Sequence, residues 1–432
     1  MPKLFGDHTF AGNVITVDNI LDAPTILNRS TVETREDFTI SVDPNGFGSP
    51  SDGYVILLNQ SDSDSYGSFT TVEAALNSIP DHIQHTVTIS LADGVTNLDA
   101  TYPFGDMRRF IFMGTRPDLA FGTAGVILFT SASGLTIEPN TTIMDVTSGS
   151  ETSLVLDSDP GFADDAYRGA FLEVVAGTGI GQVRGIRAHS GVNFTVPARW
   201  NPVLDATSQV EIRTPAAELM SSVAAASLFG NVPMGSLDTA LGGIEFSKID
   251  ISHASGGSLN FYGLAATLGV GCRLQKLTVT VIGSSVFLRS CVIDAQATSF
   301  GGIFVTSGFL RSTDTGEGWL IMDATLAGII LLGSKPCSAF LFQGTIEGCP
   351  IGILAENPLT FLECTTRVDG LNTNYGIGIS AGAIGQIDTS STTISGSTSD
   401  FQLDGTTDET YAELTANSLI LGPIYDSKLM VT

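Results

Sequence analysis

Four carboxylates recur in similar triplets: Ile293-Asp294-Ala295, Met322-Asp323-Ala324, Ile346-Glu347-Gly348 and Val368-Asp369-Gly370. Equivalent places would make Asp294, Asp323, Glu347 and Asp369 an acidic row, and two carboxylates ~5–10 Å apart across a groove are what glycoside hydrolysis requires. Like charges stacked on adjacent strands repel unless neutralised, so such a row belongs at strand ends or in turns. Gly177-x-Gly179 with Gly181 suggests a phosphate-cradling loop, but the next residue is Gln182 and Val183-Arg-Gly-Ile186 reads as strand. A nucleotide site needs a helix N-terminus there. Asp62-x-Asp64-x-Tyr66-Gly67 with Glu73 partly mimics a calcium loop, yet Tyr66 stands where a ligand belongs and Glu73 fits a capping box with Thr70. The histidines at 8, 82, 85, 189 and 253 lack metal-ligand spacing. No catalytic set, cofactor or metal is assigned. Trp200, Trp319 and Tyr375 are the aromatics best suited to stack on a sugar face, core packing being the plainer reading.

The elements that carry these residues repeat. Gly328-Ile-Ile-Leu331, Gly352-Ile-Leu-Ala355, Gly376-Ile-Gly-Ile379 and Asp400-Phe-Gln-Leu403 stand 24 residues apart. A second series runs Phe287-Leu-Arg-Ser290, Phe309-Leu-Arg-Ser312, Phe340-Leu-Phe-Gln343 and Phe361-Leu-Glu-Cys364; the acidic triplets, closed by Ile394-Ser-Gly396, form the third. Each piece alternates apolar with small or polar residues between turn formers, the pattern of short half-buried strands. Units of this length stack on their neighbours. Three strands per turn of about 24 residues is the unit of a parallel β-helix, with inward residues stacking into ladders ~4.8 Å apart.

The chain has 432 residues, 48 of them Gly, only 15% charged, and a net charge of −26 from 45 acidic and 19 basic side chains. That field repels phosphate backbones and argues against nucleic acid as a partner. No apolar run reaches the ~18 residues of a membrane span, and the start Met-Pro-Lys-Leu-Phe-Gly-Asp lacks a signal-peptide stretch, so synthesis in a cytoplasm without membrane insertion is expected. Five cysteines (272, 291, 337, 349 and 364) without C-x-x-C spacing read as buried free thiols.

Along the chain, residues 1–40 read as an N-terminal attachment segment and 41–159 as the first part of a β-helix. Within the latter, Val72, Leu76 and Ile79 share one face of a short helix over about 70–79 that Pro80 ends. Residues 160–214 read as a β-rich insert, and 215–245 as a connecting segment that is either helix or loop. Regular β-helix follows over 246–404, and 405–432 form a C-terminal cap or subunit contact. The order Val42-Asp-Pro-Asn-Gly46, Phe69-Thr-Thr-Val-Glu-Ala-Ala-Leu76, Val87-Thr-Ile-Ser-Leu-Ala-Asp-Gly94 and Arg109-Phe-Ile-Phe-Met-Gly114 resembles the opening of pectate-lyase-like right-handed β-helices, closest to versions in bacteriophage virion and tail proteins. In that family the helix caps the open end of the core. Gly177-x-Gly-x-Gly-Gln-x-Arg-x-Ile186, with Trp200-x-Pro202 and Asp205-x-Thr-Ser208, resembles a small module of phage structural proteins and implies no catalysis.

The resemblance implies an all-β fold, a right-handed single-stranded parallel β-helix with an N-terminal capping helix and a small β-rich insert. The residue sets of the lyase and esterase branches are not matched. The expected function is a non-enzymatic virion structural protein (head decoration, head fibre or spike, or tail component). It would be homotrimeric, made in the host cytoplasm, and joined to other virion proteins through the N-terminal segment. The alternatives are a tailspike depolymerase cleaving bacterial surface polysaccharide and a passive adhesin that binds cell-surface glycan.

Overall fold

The computed structural model describes residues 37–42, 65–69, 82–97, 120–121, 125–221, 243–262, 265–296, 301–312, 318–332 and 336–355, with Val72, Ala75, Ile79 and Thr298; beyond 355 only strand backbones are described. The described residues are nearly all β, with a 22-stranded, parallel-paired sheet and a separate 8-stranded one. Strict alternation is the local cause: Thr86–Leu91 and Val126–Ser131 each bury every second side chain, which fixes one face of the strand to the core.

The parallel pairings of the larger sheet form three ladders, and His82–Ile83 pairs with Ala120–Phe121 in a separate two-stranded sheet. In the first, Ile40 pairs with Ile89, then Phe129, Phe246, Leu268 and Leu288. Phe129 and Phe246 stack at 5.3 Å within it. The second runs Thr96, Leu219, Ile251, Leu274, Ile293, Ile321, Ile346 and Val368. The third runs Leu259, Val279, Ile303, Ile329, Ile353, Ile377 and Phe401. Side chains from all three meet in one apolar cluster, and each fully buried Ile, Leu or Phe there contributes roughly 1.5–3 kcal/mol.

The 24-residue series is the register of the third ladder. The phenylalanine series pairs otherwise. Phe309 lies opposite Ser285 and Ser338, while Phe287 and Phe340 lie opposite Arg311, a slip of two residues. A two-residue slip keeps every side chain on its own face, so alternation cannot detect it. Arg311 fills the place between the rings, 5.2 Å from the centre of Phe309 and 5.5 Å from that of Phe340.

The antiparallel sheet begins at Leu135, ahead of the expected 160. Strands Leu135–Ile137, Met144–Gly149 and Ser153–Leu156 join Phe171–Ala176, Val183–Gly185, Ala188–Ser190, Asn193–Thr195 and Gln209–Pro215. Residues 135–215 therefore form one module with its own core. The larger sheet closes over the insertion: Val126–Ser131 pairs with Gly243–Ser247, and Gly94–Asn97 with Ala217–Ser221. Ala217–Ser221 is thus a strand of the second ladder, where helix or loop was expected; 222–242 lie outside the described residues. Thr410–Thr415 and Ser427–Val431, in the segment expected to cap the fold, extend the first ladder.

Of the expected helix over 70–79, Val72 and Ala75 have helical backbone, and both are buried with Ile79 in the main cluster; the rest, including Leu76, lies outside the described residues, as do residues 1–36. Cys272, Cys291, Cys337 and Cys349 are buried free thiols. Burial raises Cys291 and Cys349 to about 12, which keeps them protonated and unreactive.

Candidate functional site: the acidic row beneath the module

The second ladder corrects the acidic row. Ile293 pairs with Ile321, so Asp294 lies opposite Met322, and Met322 opposite Glu347. Asp323 falls one residue past the row, in a left-handed turn with φ 59°. The four acids are therefore not one column. Asp369 lies outside the described residues.

Two arginines of the module meet this row. Arg168 donates from Nη1 to Asp323 Oδ2 at 2.7 Å and from Nη2 to Glu347 Oε1 at 3.0 Å. Arg187 donates from Nε to Glu347 Oε2 at 2.7 Å, and both of those side chains are only 8% exposed. Burial opposes the charge on Arg168, yet Glu347 and Asp323 hold its pKa above the ordinary value. Around the ion pairs the surfaces are apolar: Leu135, Phe171 and Val183 of the module pack on Val292, Leu320 and Met322 of the second ladder. Thr345 Oγ1 donates to Pro197 O at 3.2 Å, and Ala198 lies against Gly318.

Asp294 behaves differently from its neighbours. Its carboxylate accepts from the Gln296 amide at 3.1 Å, and burial, helped by Asp323, raises its pKa. Farther along the ladder Asp250 is clamped by Arg273, with Nε to Oδ1 at 2.9 Å and Nη2 to Oδ2 at 2.5 Å. Burial nonetheless raises the Asp250 pKa.

The Gly177–Gly181 segment is a hairpin loop between antiparallel strands. Its continuation forms a latch: Gln182 Oε1 accepts from the Asn201 amide at 2.8 Å, and Gln182 Nε2 donates to Pro202 O at 3.2 Å. Thr178 Oγ1 donates to Asp205 Oδ2 at 2.8 Å, and Thr207 Oγ1 to Asp205 Oδ1 at 2.6 Å. The hydrogen bonds of Thr207, then of Thr178, lower the Asp205 pKa. Thr178, Gln182, Asp205 and Thr207 thereby tie the loops of the motif together.

The aromatic candidates are corrected as well. Trp200 is 2% exposed in the module core, under Arg184, whose Cζ stands 5.5 Å from the ring centre. Trp319 is 0% exposed inside the larger core. Neither presents a face to a sugar, because each ring is buried in its own core. Tyr375 pairs through its backbone with Ile351 and Ser399; its side chain lies outside the described residues. In the partial calcium motif Tyr66 and Gly67 belong to strand Ser65–Phe69, and Asp62, Asp64 and Glu73 lie outside the described residues. Among the described residues no group of three or more His, Cys, Asp or Glu side chains is placed to hold a metal ion, and no helix is long and apolar enough to cross a membrane. What the sequence did not disclose is the role of Arg168 and Arg187, which lie 155 and 160 residues before their partners.

No family model and no curated protein matches this chain. Among solved structures it is similar to the tailspike gp61 of Pseudomonas phage phi297, with 13% identity over 83% of this chain and 62% of that one and a TM-score of 0.23. It is similar to the tailspike gp49 of Pseudomonas phage LKA1, with 11% identity over 81% and 70% of the two chains and a TM-score of 0.16. It is also similar to the Gp54 tailspike of Acinetobacter baumannii bacteriophage AP22, solved with A. baumannii capsular saccharide, with 10% identity, coverages of 82% and 70%, and a TM-score of 0.17. The chain spans 62% of the length of the first of these. Likenesses this distant carry neither the activity nor the ligands of those proteins to this chain.

Proposed function

We propose that this chain is a non-enzymatic structural component of a bacteriophage virion, a head decoration, head fibre or spike, or tail component. In this reading a right-handed parallel β-helix of three strands per turn serves as a rigid mount for the antiparallel module. The observation that carries it is the engagement of the acidic row. Asp323 and Glu347, two of the acids weighed for chemistry, bind Arg168 and Arg187 beneath the module, and a carboxylate held in an arginine ion pair is not free to shuttle protons. The three ladders support the three-strand turn, and the buried Val72, Ala75 and Ile79 support the N-terminal capping helix. The resemblance of residues 42–114 to phage β-helix proteins supports the virion assignment. A homotrimer attached to other virion proteins through residues 1–40 completes the proposal. The test is release of reducing ends from a panel of bacterial surface polysaccharides by the purified chain: no turnover is expected, and cleavage at catalytic rates overturns the reading.

One observation favours depolymerase activity as a second reading. Asp294 is held by no arginine hydrogen bond among the described residues, and its raised pKa suits a general acid. Any cleavage detected should then vanish in Asp294→Asn while the fold persists. A passive adhesin would show glycan binding without turnover, with Tyr375 the aromatic to replace.

A further inference from the structure

We propose that His189 is a pH-sensitive pin: as a neutral imidazole it fastens the turn that carries Arg168 onto the acidic row, and its protonation unfastens that turn. His189 is 3% exposed and sits in strand Ala188–Ser190. Phe194 stacks on its ring at 4.9 Å, Tyr167 at 6.0 Å, and Phe162 meets it edge-on at 6.3 Å. Nε2 accepts the Tyr167 amide at 3.2 Å, which puts the ring proton on Nδ1, and Nδ1 is buried without a partner. The histidine backbone grips the same turn: its amide donates to Asp165 Oδ1 at 2.8 Å, and its carbonyl accepts the Asp165 amide at 3.0 Å. Arg168 follows Tyr167 directly, and Arg187 precedes His189 by two residues.

Protonation adds a hydrogen at Nε2. The acceptor becomes a donor aimed at the Tyr167 N–H, and the ring then carries two donors in a box of aromatic carbon. A buried donor facing a donor loses its bond and gains a desolvation penalty. Among the charged groups near the ring, Asp165 and then Asp164 on the turn favour the imidazolium; Asp159 lies beside Gly191, while Arg168 and Arg187 are paired with Asp323 and Glu347. Strand Asn193–Thr195 contributes only the Phe194 ring. Burial prevails and lowers the His189 pKa below 6.5. The sign follows: the folded chain binds this proton less readily than the unfolded one, so the pin holds fully above the ordinary value and weakens as pH falls through the folded one.

The test is amide hydrogen exchange of the full-length chain between about pH 7.5 and 5, corrected for intrinsic exchange, around the ordinary histidine value. Protection at Tyr167 and Arg168 should begin to fall once pH drops below the ordinary histidine value, by up to about tenfold per pH unit, and should level off below the folded His189 pKa. His189→Gln, neutral throughout and able to offer its side-chain oxygen, should keep that protection flat with pH. Flat protection in the wild type, or an equal loss in His189→Gln, overturns the proposal, the latter by assigning the effect to carboxylates. Should the variant not fold, NMR titration of the His189 ring in the wild type decides: a ring midpoint at the pH where the loss of Tyr167 protection levels off supports the pin, and a midpoint elsewhere sinks it.

Discussion

Glu347 accepts from two arginines through separate oxygens, Arg168 at Oε1 and Arg187 at Oε2. Removing it leaves Arg187 charged and buried, a state that costs more than the ion pair was worth in isolation. Glu347→Ala should therefore lose about 3–5 kcal/mol in urea denaturation, whereas Asp323→Ala, at a site 30% exposed, should lose clearly less. Equal losses would show that the buried pair is not the dominant contact. Gly344 faces the Trp319 ring so closely that a Cβ would lie 2.1 Å from Cε2. Gly344→Ala should cost about 1–3 kcal/mol through overpacking, and a neutral result would mean that the indole has room to move. The lowered pKa of Asp205 gives the latch a pH limit. Its contribution is present above the ordinary 3.8 and lost as pH falls through the folded value, so Asp205→Asn should flatten the acid limb of module unfolding.

At the scale of elements, the hairpin loop and the 205–208 loop meet at Gly177, where φ is 75° and a Cβ would stand 1.8 Å from Thr207 O. Gly177→Ala should lower module stability by roughly 1–3 kcal/mol, read as a shifted urea midpoint, and an unchanged midpoint would remove the latch from the account. How much of such structure can be read in advance depends on which force sets it. The third ladder was legible to the residue because Ile329, Ile353 and Ile377 sit in uninterrupted turns of equal length. The phenylalanine series was legible in face but not in register, since alternation tolerates a shift of two. The acidic row was misaligned by a single residue, because the left-handed turn at Asp323 adds one position that no apolar pattern marks. The module's start was hidden for a related reason: Met144–Gly149 and Ser153–Leu156 alternate as the solenoid strands do, and only pairing direction tells them apart. The arginine contacts to the row were illegible because charge complementarity across so long a stretch of chain leaves no local trace.

For the whole molecule, the module is a cover as well as a load. Replacing residues 135–215 by a short linker would bare Val292, Leu320 and Met322 and strip Glu347 of both arginines. The shortened chain should keep its β-sheet signal in circular dichroism, bind a hydrophobic dye and self-associate in size-exclusion chromatography. A monodisperse product without dye binding would mean that the solenoid wall needs no cover. The closure of the larger sheet across the insertion also sets an order of events. On the ribosome the edge of Val126–Ser131 stays open until Gly243–Ser247 emerges, and the whole module is synthesised in between. The module's antiparallel contacts are local compared with that parallel pairing and form sooner. Nascent chains halted near residue 230 should therefore resist protease over 135–215 while the N-terminal turns remain cleavable. Asp323 and Glu347 come later still, so the finished module waits, arginines exposed, and the growing solenoid is delivered to it as the last surface to dock.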